Sequence, residues 1–130
     1  MKNKTETKTT FETLEVWKAA RELRKEVSSL AKTLPPVEQY RLADQMIRAS
    51  RSVTANIAEG HGRYHYQENI QFCRQSRGSL YELLDHLTVA LDENYVTKET
   101  FESLRGKLLN VVKLLNGYIS YLKSRKVLDD

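Results

Sequence analysis

Histidine, arginine and glutamate crowd one short stretch of this chain. His61 and His65 stand four residues apart with Glu59 close by, a spacing from which a metal site can be imagined. His61-Gly62-Arg63-Tyr64-His65 lacks, however, the glutamate after the first histidine that makes the zinc-protease helix motif. His86, the remaining histidine, follows His65 at a helical distance of roughly 31 Å. Histidines in a solvated turn are the simpler reading, and no metal is expected. Cys73 is the single cysteine. It falls on an apolar stripe and reads as a small buried hydrophobe, not a nucleophile. Gly60-His61-Gly62 is too short to cradle a phosphate, and neither a carboxylate pair nor a triad stands out. No catalytic residue and no cofactor are expected.

Arginines are the stronger lead. Arg48, Arg51, Arg63, Arg74 and Arg77 cluster in the middle of the sequence. If the helices that carry them are antiparallel, residues 48–60 face residues 66–78 and these arginines share one end of a bundle. Arg48, Arg51, Arg63 and Arg74 are therefore the candidate nucleic-acid contacts, beside the free backbone N–H groups that open a helix. The competing reading is internal salt bridging, with Arg48 or Arg77 held by Glu59, Asp44 or Glu82. Arg77 sits on an apolar stripe, which suits an internal partner for it.

The elements that must position these groups are helices. Apolar residues recur at alternating steps of four and three. The first stripe is Val16, Ala20, Leu23, Val27, Leu30 and Leu34, stopped by Pro35-Pro36. The second is Ala43, Met46, Ser50, Val53 and Ile57, with Gly60 expected at a left-handed cap. The third runs from Tyr66 through Ile70, Cys73, Arg77, Leu80, Leu84 and Leu87 to Leu91. The fourth begins at Phe101 and ends at Leu122, entered through Thr97 as N-cap with Glu99 in the first turn. Helices are placed near 14–34, 37–60, 66–94 and 97–125. Short links between them predict an all-α, antiparallel up-down-up-down four-helix bundle over residues 11–126. Residues 1–10 are expected to be a disordered tail, and 127–130 a short C-terminal one.

Composition agrees. The chain has 130 residues, 40% hydrophobic and 29% charged, with 5 glycines and 2 prolines, which is too apolar for wholesale disorder and enough for one core. No apolar run approaches the ~20 residues needed to span a bilayer, and the polar N-terminus is no signal peptide. A cytoplasmic protein without a membrane contact is expected. The net charge of +4 is uneven: +2 over residues 1–10, −3 over 66–94 and +3 over 95–130. A nucleic-acid patch is allowed by that distribution, not demanded.

Two features go beyond a minimal bundle. Leu109, Val112 and Ile119 make a second row on the fourth helix, and Trp17, Ala31, Leu42, Ala49, Ile47, Phe72 and Leu83 widen the others. They either enlarge the core or meet further copies of the chain. Small and polar residues also gather on the second and third helices. Gly78 inside a helix suggests a close backbone approach, because glycine there costs about 1 kcal/mol against alanine. Asn56 needs a partner, either a backbone carbonyl or Ser79 across the helix pair.

The run from Gln45 to Gly60, with Asn56-Ile57-Ala58-Glu59-Gly60 at its end, then Arg63, then Arg77-Gly78-Ser79-Leu80-Tyr81-Glu82-Leu83, closely resembles a family of small bacterial four-helix-bundle proteins. Some of these are encoded in intervening sequences of large-subunit ribosomal RNA genes. Phe11-Glu12-Thr13-Leu14-Glu15-Val16-Trp17 fits the family's opening, and the likeness extends over about residues 10–122. Asn56, Glu59, Gly60, Arg77, Gly78 and Ser79 are its structural motif here. Where the family often has Gly-Leu before the core of its second helix, this chain has Arg41-Leu42. The resemblance implies a ring-like homopentamer and no enzymatic activity. Related bundles are basic oligomers that bind a reverse transcriptase and RNA in diversity-generating retroelements. By that analogy the expected partners are the chain itself and RNA or an RNA-associated protein, and the alternative is a structural or protein-interaction oligomer without nucleic acid.

Overall fold

The computed structural model describes residues 9–129, so most of the expected N-terminal tail lies outside the described residues. Four helices follow one another: α1 (Glu15–Lys32), α2 (Leu42–His61), α3 (Tyr66–Asp92) and α4 (Lys98–Asp129), with short 3-10 turns at Phe11–Thr13 and Pro36–Glu38. No strand occurs among the described residues. Each helix packs on its chain neighbours, and α1 closes the square against α4. This is the antiparallel four-helix bundle.

The ends of the helices are set by side chains. Gln39 Nε2 donates to the carbonyls of Ala31 and Leu34 at 3.0 and 2.8 Å, satisfying acceptors that the end of α1 leaves free. α2 begins at Leu42, not at 37, because residues 36–38 turn as a 3-10 element and Glu38 Oε1 accepts from the Leu42 N–H. Arg41 takes φ −124° and ψ −100° as the N-cap, and Leu42 behind it is buried. The end of α3 is a Schellman motif: Tyr95 N–H donates to Ala90, Asn94 N–H to Leu91, and Asn94 has φ 64°. Asparagine tolerates that left-handed conformation better than most residues. Tyr95 then donates its hydroxyl to Glu38 at 2.9 Å, which ties the α3–α4 turn to the α1–α2 link. Thr97 Oγ1 accepts from the Thr100 N–H, the expected N-cap of α4. α4 continues through Asp129, so the segment expected as a C-terminal tail from 127 is helical where it is described.

The core takes most of the surplus apolar residues into the single chain. Val112, Ile119, Leu83, Ala31, Leu42 and Ala49 are buried in it, while Trp17, Ile47 and Leu109 are half-buried against it. The wide stripes thus widen the bundle's own core.

Two glycine expectations are corrected. Gly60 is not a left-handed cap; it lies inside α2, and Gly62 ends the helix with φ −80°, its N–H donating to Ala58 and Glu59. Gly60 is instead the close-approach site: a Cβ there would lie 2.6 Å from Asn69 Oδ1 and 2.9 Å from Phe72 Cβ of α3. Gly78 is not one, because a Cβ there would meet nothing within 4 Å. It faces outward on α3, one residue before the inward-turned Ser79.

Candidate nucleic-acid interface

The α2–α3 seam is locked by hydroxyls and amides. Ser76 Oγ, fully buried, donates to the Val53 carbonyl at 2.9 Å. Asn56 Nδ2 donates to the Ser52 carbonyl at 2.9 Å and to Ser52 Oγ at 3.0 Å, and Ser52 Oγ meets Ser79 Oγ at 2.9 Å. Asn56 therefore has the backbone partner expected of it, and it reaches Ser79 only through Ser52. Cys73 is buried behind this seam, and desolvation pushes its thiol up to about 12. A thiolate is disfavoured there, as for a structural cysteine.

The arginines do not share one end. Arg48 pairs with Asp44 at 3.5 Å along α2, and Arg63 in the α2–α3 turn pairs with Glu59 at 2.9 Å while lying over the Phe72 ring. Arg77 is not held by Glu59, Asp44 or Glu82; its Nη1 donates to Asn116 Oδ1 on α4 at 2.6 Å. Arg74 is exposed on α3 and has no ion pair among the described residues. Arg51 turns the other way, toward α1.

Arg51 lines a groove between α1 and α2 with Arg24, Lys25 and Lys32, together with the hydroxyls of Ser28 and Ser29, over a floor of Ile47 and the buried Ser50, whose hydroxyl donates to the Ile47 carbonyl. This depression has a volume of about 320 Å³, and no carboxylate lines it. It continues through Arg24 and Arg51 to Thr54 and Trp17, and on to Arg21, where Glu12 and Glu22 also line it. Arg24 Nη1 is steadied by donating to Thr54 Oγ1 at 2.9 Å, and Arg21 lies 5.9 Å over the Trp17 ring. Lys25 has an exposed partner in Glu22, but Lys32 and Arg51 have no ion pair among the described residues. From Trp17 to Lys32 the groove follows α1 for roughly 22 Å. Cations spaced along such a channel match a phosphate backbone.

The sequence does hold a signal for this groove. Trp17, Arg21, Arg24, Ser28 and Lys32 each follow a core residue of α1 by one position, and Ile47, Arg51, Thr54 and Ala58 do the same on α2. Those two flanks face each other. The opposite flank of α1 is acidic: Glu22 and Glu26, with Glu102, line the α1–α4 side, where Lys107 pairs with Glu26 at 2.8 Å. Among the described residues no group of three or more His, Cys, Asp or Glu could hold a metal, and no helix is long and apolar enough to cross a membrane.

Residues 12–117 match the model of the 23S rRNA-intervening sequence protein family. A solved structure from Bacteroides thetaiotaomicron, a protein of unknown function from the S23 ribosomal protein family, is similar in fold with a TM-score of 0.75 at 23% identity. The alignment covers 81% of this chain and 95% of that one. No curated protein matches the chain.

Proposed function

The chain belongs to the 23S rRNA-intervening sequence protein family, and from that premise we propose that it is a non-enzymatic, cytoplasmic RNA-binding bundle whose α1–α2 groove follows the phosphate backbone. The observation that carries this is the groove itself, with four cations, the hydroxyls of Ser28 and Ser29 and no carboxylate in one depression. Self-association into a homo-oligomer, five copies by the family likeness, would repeat the groove and raise avidity without new contacts. Light scattering at micromolar protein should then give a mass well above 15.1 kDa.

Of the four candidate arginines, Arg51 is the one that lines the groove. Arg48 and Arg63 already have carboxylate partners, whereas Arg51 and Lys32 are available. Anisotropy with a labelled structured RNA at ~50 mM salt should show binding that weakens steeply with salt. Arg51→Ala with Lys32→Ala should weaken it about tenfold or more and flatten the log–log salt slope by roughly 1.5, since each lost phosphate contact removes ~0.7–0.9. Arg63→Ala with Arg74→Ala should do less, and deleting residues 1–10 controls for the charged tail. Absence of binding, or its loss only with the tail, gives first place to a protein-interaction oligomer.

A further inference from the structure

The end of the bundle where α2 turns into α3 holds a second cavity, of about 620 Å³, that the groove does not reach. Its walls are mostly rings: His61 at the end of α2, Tyr64 and His65 from the turn, Tyr66 at the start of α3, and Tyr118 and Tyr121 from α4. The chain has 7 tyrosines and 3 histidines, so most of both types converge here from segments far apart in sequence. No carboxylate lines the cavity, and its one cation, Arg63, is already paired with Glu59.

The rings are held for stacking. Asn69, 6% exposed, donates from Nδ2 to the Tyr118 hydroxyl at 3.2 Å, while its Oδ1 accepts from Cys73. Tyr118 in turn lies nearly parallel to Tyr121, 15° between planes and 6.3 Å between centroids. Tyr121 is 55% exposed and so keeps ring surface open to a ligand. Across the cavity Tyr64 is 91% exposed and touches His65 edge-on at 4.8 Å. A large exposed aromatic that packs on little else is available to stack.

We infer that this cavity accepts one unpaired nucleobase, stacked on Tyr121 or Tyr64. The chemistry favours this class. Electron-rich ring faces bind planar heterocycles of any base, and hydroxyl and imidazole groups at the ring edges offer hydrogen bonds to base edges. Two histidines without a third ligand do not make a metal site. The inference rests on the RNA-binding reading only for the strand that supplies the base, so the probe is a single nucleotide.

Adenosine 5′-monophosphate titrated into the full chain should move the ring resonances of Tyr64, Tyr118 and Tyr121 saturably, with a millimolar Kd. Ribose 5-phosphate at equal concentration should leave them in place. Tyr121→Ala should weaken the nucleotide at least fivefold, given a stacking contribution of ~1–3 kcal/mol per base, and Tyr121→Phe should restore it to within about twofold by keeping a stacking face. Tyr64→Ala, at a position too exposed to affect folding, gives a second reading. Arg51→Ala should leave nucleotide binding unchanged while it weakens RNA. Ring shifts absent at ~10 mM nucleotide, or equal shifts with ribose 5-phosphate, would overturn the pocket even if RNA still binds along the groove. Nucleotide binding without RNA binding would instead sustain the pocket and remove the groove.

Discussion

The α2–α3 seam and the α1–α4 flank are both built with glycine and small polar residues, yet they behave as opposites. In the seam, Gly60 leaves no space for a methyl group, Ser52, Asn56 and Ser79 are joined by hydrogen bonds, and Ser76 donates to the Val53 carbonyl. On the flank, a Cβ at Gly106 would meet nothing within 4 Å, and the groove beside it holds about 530 Å³. Glycine in a helix therefore has two meanings, and its neighbours across the interface decide which applies. The charges divide in a related way: α1 shows cations toward α2 and carboxylates toward α4.

The largest effect is expected at Gly60. Gly60→Leu should destabilise the bundle by about 3 kcal/mol, at the upper end for overpacking. The Asn69 side chain can move aside, but Phe72 Cβ and the Asn69 carbonyl at 3.1 Å are fixed to the α3 backbone. Relief thus requires α2 and α3 to separate, which stretches the Ser52–Ser79 and Ser76–Val53 bonds. Even Gly60→Ala should lose stability, against its better helix propensity. Denaturant melts decide this, and an unchanged midpoint for the leucine variant would remove the close approach.

The opposite sign is expected at the open glycines. Gly106→Ala and Gly78→Ala should each stabilise by up to about 1 kcal/mol, because the methyl meets no neighbour and the helix propensity gain is kept. A loss of stability for Gly106→Ala in the isolated chain would show that the α1–α4 flank closes more tightly than its geometry indicates. A loss for the assembled protein alone would place that flank in a subunit contact.

This contrast marks what could be read from sequence and what could not. Helix number, order and most boundaries were legible because the 4-3 stripes, Pro35-Pro36 and Thr97 are local signals. The reading near 37 puts the start of α2 five residues early, because Pro36–Glu38 turn as a 3-10 element before the stripe begins at Ala43. Gly60 and Gly78 were misassigned because both sit beside small residues, and only the facing residues Asn69 and Phe72 separate them. The arginines were found by type, but rotation about each helix spreads them. Arg51 turns to α1 and Arg77 to α4, and their partners Arg24, Lys32 and Asn116 are remote in the chain. The tyrosine cavity has the same cause: Tyr64 and Tyr118 become neighbours only when α4 lies along α3.

The smallest effect is expected at the ion pair across the α1–α4 flank. Lys107 Nζ meets both Glu26 oxygens at 2.8 Å, a geometry that looks strong. The two side chains are nevertheless 52% and 41% exposed, so water screens the attraction and both long chains lose rotamer freedom. An exposed pair of this kind contributes about 0.2–1 kcal/mol. A double-mutant cycle with Glu26→Gln and Lys107→Met should give a coupling at the lower end of that range, falling further as salt shortens the Debye length to about 3 Å at 1 M. In the seam, by contrast, Ser76→Ala removes a fully buried donor and should cost about 1 kcal/mol with no salt dependence. A coupling on the flank larger than the Ser76 effect, persisting at 1 M salt, would mean that α4 is held to α1 by charge. The open groove beside the pair would then be a rigid surface and not a loosely closed one.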